Sequence, residues 1–146
     1  MATHKFYPYG LSAMAAGDFD YLADTVNAAL IATGGTNYAY NSAHSGLNFV
    51  SAAFRATNGL GTLASKTLAA SGTAMTFDAA DLTLNGVSAN GGVSVFHAVV
   101  TYLSGASEAQ SPLLTFNVLA APITANGGNI TLQFDAAGIA RVWADS

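Results

Sequence analysis

His4, His44 and His97 are the first residues whose chemistry extends beyond packing. A metal site needs imidazoles at ligand spacing, and no two of the three have it. His97 stands in an apolar run and reads as a core or interface histidine. His44 stands in a polar segment, where it can cap or hydrogen-bond the backbone. An imidazole titrates near pH 6.5, so either of these two is also a candidate pH sensor. Asp18, Asp20 and Asp24 resemble the first half of a calcium loop. Such a loop closes with a bidentate Glu at its twelfth position, and counting from Asp18 that position is Ala29. Solvated turn and capping carboxylates are the better expectation. Asp78 and Asp81 are a pair that acid–base chemistry can use, but they flank a turn, where Asp bonds nearby backbone. Gly59-Leu60-Gly61 is a fragment of a glycine-rich loop without the rest of the fingerprint. Asn129-Ile130-Thr131 matches a glycosylation sequon, which is expected to be chance because Met1–Tyr9 does not read as a secretory leader. No GxSxG, HExxH or P-loop occurs. The expectation is a protein that is not an enzyme, with no catalytic residue, cofactor or metal.

The elements that would position such residues must fold from an unusual composition. Of 146 residues, 8% are charged, against about 25% in an ordinary soluble domain. A chain of 14.7 kDa should expose roughly 7,000 Å². Four basic and eight acidic side chains cannot cover that area. Small polar residues must cover the rest, or apolar groups hidden in contacts with neighbours. Hydrophobic residues make up 51% and the mean hydropathy is +0.38. No apolar run reaches the roughly 18–20 residues of a spanning helix, so no membrane partner is expected. Lys5, Arg55, Lys66 and Arg141 are scattered, which removes the positive footprint of a nucleic-acid binder. There are no cysteines, so redox chemistry indicates no compartment.

One mostly β domain over residues 1–146 is expected, with an N-terminal arm and short helix in 1–23 and a β core in 24–146. Leu11, Met14 and Ala15 fall at helical spacing, and Gly17 can stop the helix. Thr25–Ala32, Thr62–Ala69, Leu82–Asn85, Gly92–Leu103, Leu113–Leu119 and Ile139–Ala144 read as strands. Ile130, Leu132 and Phe134 alternate with polar residues as a half-buried strand does. Val93, Val95, His97, Val99, Thr101 and Leu103 share one face of their strand, and Phe96, Ala98, Val100 and Tyr102 the other. Both faces are largely apolar, so this strand should be central and covered on both sides. Pro112 can open the strand that follows it. Asn90-Gly91-Gly92 and Asn126-Gly127-Gly128 supply turn residues, and Asp135–Gly138 reads as a hairpin between the last two strands. Residues 38–58 admit a strand, a loop or a helical turn. The whole suggests a β-sandwich or a jelly-roll-like barrel. Phe6, Tyr7 and Tyr9 are core aromatics or an anchor on a neighbouring subunit. Tyr38, Tyr40 and Trp143 are further candidate interface residues, and as a sugar-binding groove they would make a carbohydrate-binding module.

Taken in order, the motifs resemble a family of small virion structural proteins of tailed bacteriophages. The resemblance runs through Phe6-Tyr7-Pro8, Gly10-Leu11, Met14 and Gly17–Thr25. It continues through His44-Ser45, Ala64–Thr67 and Phe77–Thr83. The C-terminal half contributes Ala98–Tyr102, Ser111–Leu114, Asn126–Thr131 and Phe134–Ile139. It thus spans nearly the whole chain. Leu103-Ser104 and the 38–58 segment depart from the family pattern and lower the charge. The resemblance implies a virion component, assembled in the host cytoplasm. Its first expected role is a capsid decoration or cement protein on the outer surface of the head. There it would bind the major capsid protein and copies of itself, as a dimer or trimer. A tail, connector or fibre-associated subunit is the alternative.

Overall fold

The computed structural model describes residues 3–72, 74–134 and 138–143. In chain order the strands are β1 (Thr3–Phe6), β2 (Val26–Ile31), β3 (Arg55–Thr62), β4 (Thr67–Ser71) and β5 (Ala74–Asp78). They continue as β6 (Leu82–Leu84), β7 (Val95–Leu103), β8 (Leu113–Thr124), β9 (Ile130–Leu132) and β10 (Ala140–Trp143), with one helix, α1 (Pro8–Ala15), after β1. The main sheet is antiparallel in the order β1-β8-β7-β2-β3. A three-stranded sheet β10-β5-β4 and a two-stranded sheet β6-β9 pack over one of its faces. β10 lies against β1 and β3 against β6, so the layers meet along both margins without closing into a barrel. Of the two expected architectures, this is the sandwich. β1 is bonded to β8 from Thr3↔Val118 to Phe6↔Thr115. Residues 3–6 are thus part of the main sheet and not a separate arm.

β2 and β7 hold the centre because both their faces are apolar. Val26, Ala28, Leu30, Val99 and Leu103 join Leu114 on the face covered by the small sheets, against Phe77, Leu84 and Leu132. Ala29, Ile31, Ala98, Val100 and Tyr102 join Leu113 and Phe116 on the other. Burying a side chain of this size contributes about 1.5–3 kcal/mol, so these two layers dominate the stability. Strict alternation along β7 fails at one place. Phe96 packs on the Val99 face, not with Ala98, because the ladder to β8 jumps from Phe96↔Ile123 to Ala98↔Val118. The residues of β8 between these pairs bulge out, and Pro122, which has no N–H to donate, falls among them. His97 sits at the jump, half-buried, its Nδ1 accepting from the Thr33 N–H at 3.2 Å. One polar strip crosses the first face: Thr101 and Thr115 share a hydroxyl hydrogen bond, and Asn117 Nδ2 donates to Thr115 Oγ1 at 2.9 Å.

Two expected elements are different in the structure. The run Thr62–Ala69 is not one strand. It holds the end of β3, a turn with Ser65 at φ 50°, and the start of β4. The turn forms because Leu63 is drawn into the core, with its N–H on the Val26 carbonyl at 2.9 Å. The last two strands do not form a hairpin with each other. β9 pairs with β6 and β10 with β5, which puts Leu132 beneath the main sheet. Residues 135–137 of the expected turn lie outside the described residues. The 38–58 segment combines all three: loop, two short 3-10 turns, Leu47–Phe49 and Ala52–Phe54, and from Arg55 the start of β3.

Candidate interaction surface

α1 is short and is held by its ends. Pro8 starts it with a preset φ and no N–H to satisfy. At the other end the Gly17 N–H bonds Met14 O at 3.1 Å and the Asp18 N–H bonds Ala13 O at 3.0 Å. This Schellman closure needs a left-handed residue, and Gly17 has φ 83°. The helix is pressed onto β8 by its smallest side chains. Gly10 and Ala13 are buried, and a Cβ on Gly10 would stand 2.1 Å from the Leu113 carbonyl oxygen. The apolar stripe foreseen at Leu11, Met14 and Ala15 lies beside this contact, with Leu11 and Met14 packed in part against the core. It lines an open cleft of about 580 Å³, whose opposite wall is the β4–β5 hairpin with Leu68, Met75 and Phe77. Phe19 and Tyr21 form its end. A second cleft of about 490 Å³ lies on the other flank of α1, between Tyr9, Ala13 and the 105–112 segment.

The rim of the first cleft is apolar and uncovered. Leu68 is 40% exposed and Met75 37%, and Leu22, which follows the lining residue Tyr21 in the chain, is 51% exposed. Charges near it are occupied by the backbone. Asp20 Oδ1 accepts from the Leu22 and Ala23 N–H groups, and Asp24 Oδ2 accepts from the Asp20 N–H at 2.7 Å. The Lys66 ammonium donates to the Asp24 carbonyl and lies over the Tyr21 ring. These carboxylates act as turn caps, as their sequence suggested. Asp78 does likewise, its Oδ1 accepting from the Ala79 N–H at 2.8 Å, whereas Asp81 Oδ1 accepts from the distant Phe134 N–H, also at 2.8 Å, and so ties two parts of the chain together. The Tyr21 hydroxyl, donating to the Asp78 carbonyl, has its pKa raised by burial and then by the Asp78 charge.

No family model, curated protein or solved structure matches the chain.

The candidate interface aromatics do not form one patch. Tyr9 is 56% exposed at the second cleft. Tyr7 and Tyr38 are fully enclosed, so of the two possibilities raised for the N-terminal aromatics, Tyr7 takes the core one. Phe6 and Tyr40 are half-buried. Phe6 meets Phe77 at 5.6 Å between ring centres. Tyr40 donates to the Phe6 carbonyl at 2.6 Å under the Lys5 ammonium. The Trp143 side chain lies outside the described residues.

The buried tyrosines form a relay of hydroxyls. Tyr7 Oη is 2.8 Å from Tyr38 Oη, which is 2.9 Å from His44 Nδ1. Burial raises the pKa of both phenols and lowers that of His44, which favours the neutral form of each. Their physical effect is to pin the 38–50 loop onto β8. Arg55 pins the same loop from the other end. Its guanidinium donates to the Val50 carbonyl at 2.6 and 3.0 Å, to the Leu47 carbonyl at 3.1 Å, and to the Glu108 carboxylate at 2.7 Å. Among the described residues no three His, Asp or Glu side chains converge as a metal site would require, and no helix is long and apolar enough to cross a membrane.

Sequence reasoning missed Leu22, Leu68 and Met75 as surface residues. Each looks like core by type. Leu68 and Met75 are left uncovered by the outlying position of the β4–β5 hairpin, and Leu22 by its place in the turn after α1.

Proposed function

We propose that this chain is a non-enzymatic structural subunit of a tailed-bacteriophage virion, with decoration of the capsid as its role. The observation that carries the proposal is the open, largely apolar cleft between α1 and the β4–β5 hairpin, lined in part by exposed Leu68 and Met75. The chain presents 7049 Å² of surface with charge on only 8% of its residues, so few groups would need desolvating when a neighbour covers that cleft. The motif resemblance supplies the setting, a lattice of shell subunits. A decoration protein there binds and bridges major capsid subunits, and many modest contacts multiply into high avidity. The tying of capsomers would resist the outward pressure of packaged DNA.

The test is to mix the purified chain with expanded and with unexpanded heads and to locate it by cryo-EM. Saturable binding to expanded heads, reduced by Leu68→Asp, is the expected result. Density on tails or the connector would move the chain to that part of the particle. Failure to bind any head would remove the decoration role.

A further inference from the structure

β4 is a five-residue edge strand, Thr67-Leu68-Ala69-Ala70-Ser71. Among the described residues the other margins of the sandwich are covered or blunted. β10 abuts β1, β3 abuts β6, and β9 is only three residues long. β4 has none of the usual protections. It contains no Pro and no charge, and its register with β5 runs unshifted from Thr67↔Asp78 to Ser71↔Ala74. Thr67, Leu68, Ala69 and Ala70 are all exposed. Lys66, next to the strand, is a natural guard, but its ammonium is turned back onto the Asp24 carbonyl. A straight uncharged edge of this kind is a template for another strand.

We infer that β4 pairs antiparallel with β4 of a second copy of this chain, about a two-fold axis at Ala69. The inference rests on the reading of the chain as an assembling subunit and names the contact through which two copies join. The strand is complementary to itself in this register. Ala69 comes opposite Ala69, Leu68 opposite Ala70, and Thr67 opposite Ser71. Large meets small and polar meets polar, and no charge meets a like charge across the ladder. The two Lys66 residues fall at opposite ends, roughly 20 Å apart at the rise of a strand, beyond the screening length of physiological salt. The pairing also extends the apolar face. Leu68 lies opposite Phe77 and Ala70 opposite Met75 within the hairpin, so Leu68 of the second copy continues the wall of the cleft.

Because the chain has no cysteine, the register can be read directly. Ala69→Cys places two thiols across the axis, where antiparallel Cα atoms stand about 4.5–5.5 Å apart, within disulfide range. Mild oxidation should convert most of Ala69→Cys to a covalent dimer, while Ala106→Cys, exposed elsewhere, remains single. The purified chain should sediment as a dimer and Ala69→Glu as a monomer. Mixing Ala69→Glu with Ala69→Lys should restore the dimer, which excludes misfolding as the cause of the loss. A chain that stays monomeric at high concentration overturns the inference. So does a dimer indifferent to Ala69→Glu, although that result leaves the assembling-subunit reading standing with its contact elsewhere. Protection of β4 amides only on addition of shell protein overturns it in favour of a foreign strand. The oxidation and sedimentation measurements do not involve binding to heads, so either proposal can fail alone.

Discussion

On one face of the main sheet Leu30, Val99 and Leu103 pack against Phe77, Leu84 and Leu132, which ride on strands. On the other face Ile31, Val100 and Leu113 lie beneath an irregular loop. The covering strands satisfy their backbone in ladders, so their contribution to the core is apolar contact. The loop has no ladder along most of its length. Its carbonyls and turns are tied down by side chains: the Tyr7–Tyr38–His44 relay, the Arg55 guanidinium, and Asn90 Nδ2 on the Ala52 carbonyl at 2.8 Å. A buried backbone group must find a partner somewhere. Where a ladder does not supply it, backbone turn bonds and the Arg55 and Asn90 side chains do, while the tyrosine relay fastens the loop side chain to side chain. One face should therefore fail globally when a side chain is truncated, and the other by degrees.

The largest expected effect breaks the strand-covered face. Phe77 is almost fully buried, and its ring meets Tyr21 edge-on at 5.0 Å and Phe6 at 5.6 Å. Phe77→Ala should cost about 3–5 kcal/mol, by lost transfer energy and a residual cavity. Urea unfolding should show one cooperative transition at a much lower midpoint. A loss below about 1 kcal/mol would mean that the small sheets contribute little to the core.

The loop-covered face should lose less, and locally. Tyr38→Phe removes both hydroxyl bonds and leaves the buried Tyr7 hydroxyl without a partner, at a cost of about 1–3 kcal/mol. Amide exchange should quicken between residues 38 and 50 before it does in β7. Uniform quickening would show that the loop and the sheet unfold as one unit. Arg55→Lys comes next, at about 1 kcal/mol, because a single ammonium cannot reproduce a planar fork that reaches two carbonyls and a carboxylate. Glu108→Gln should change stability less than Arg55→Lys does. Arg55 holds the Glu108 carboxyl below its usual range, but Glu108 is exposed and solvent screens the pair. If Glu108→Gln costs as much as Arg55→Lys, the ion pair holds the loop and the carbonyl contacts do not.

The contrast between the faces also explains what was legible in the sequence. β7 announced itself because Phe96–Leu103 is apolar on both sides, and β9 because its alternation matches a pleat. β3 did not: Arg55-Ala56-Thr57-Asn58-Gly59-Leu60-Gly61-Thr62 holds two glycines and an Asn at φ 58°, and its pairing with β2 shifts register. β5 buries one side chain, Phe77, which is too little for a pattern. Tyr7 and Tyr9 are two residues apart and alike by type. The turn of chain at Pro8 sends one under the loop and the other into solvent, a tertiary outcome that no local pattern encodes. The cleft was hidden for the same reason, since Gly10 decides which side of α1 meets β8.

The smallest expected effect is a pH dependence confined to the loop-covered face. A neutral His44 accepts the Tyr38 hydroxyl proton at Nδ1, and the Tyr7 hydroxyl can then donate to Tyr38, so no donor in the relay is left over. Protonation turns Nδ1 into a donor. Tyr38 must then donate towards Tyr7, and the Tyr7 hydroxyl loses its acceptor in a buried site. Burial already holds the His44 pKa below its ordinary 6.5. The unfolded chain therefore binds this proton more readily than the folded one. The stabilisation is complete above pH 6.5 and is lost as pH falls through the lowered folded value. Urea midpoints measured from pH 7.5 down to pH 5 should drop more steeply for the native chain than for His44→Gln, whose amide does not titrate. Parallel profiles would show that the relay tolerates the extra proton and that the loop is held by Arg55 and apolar contact alone.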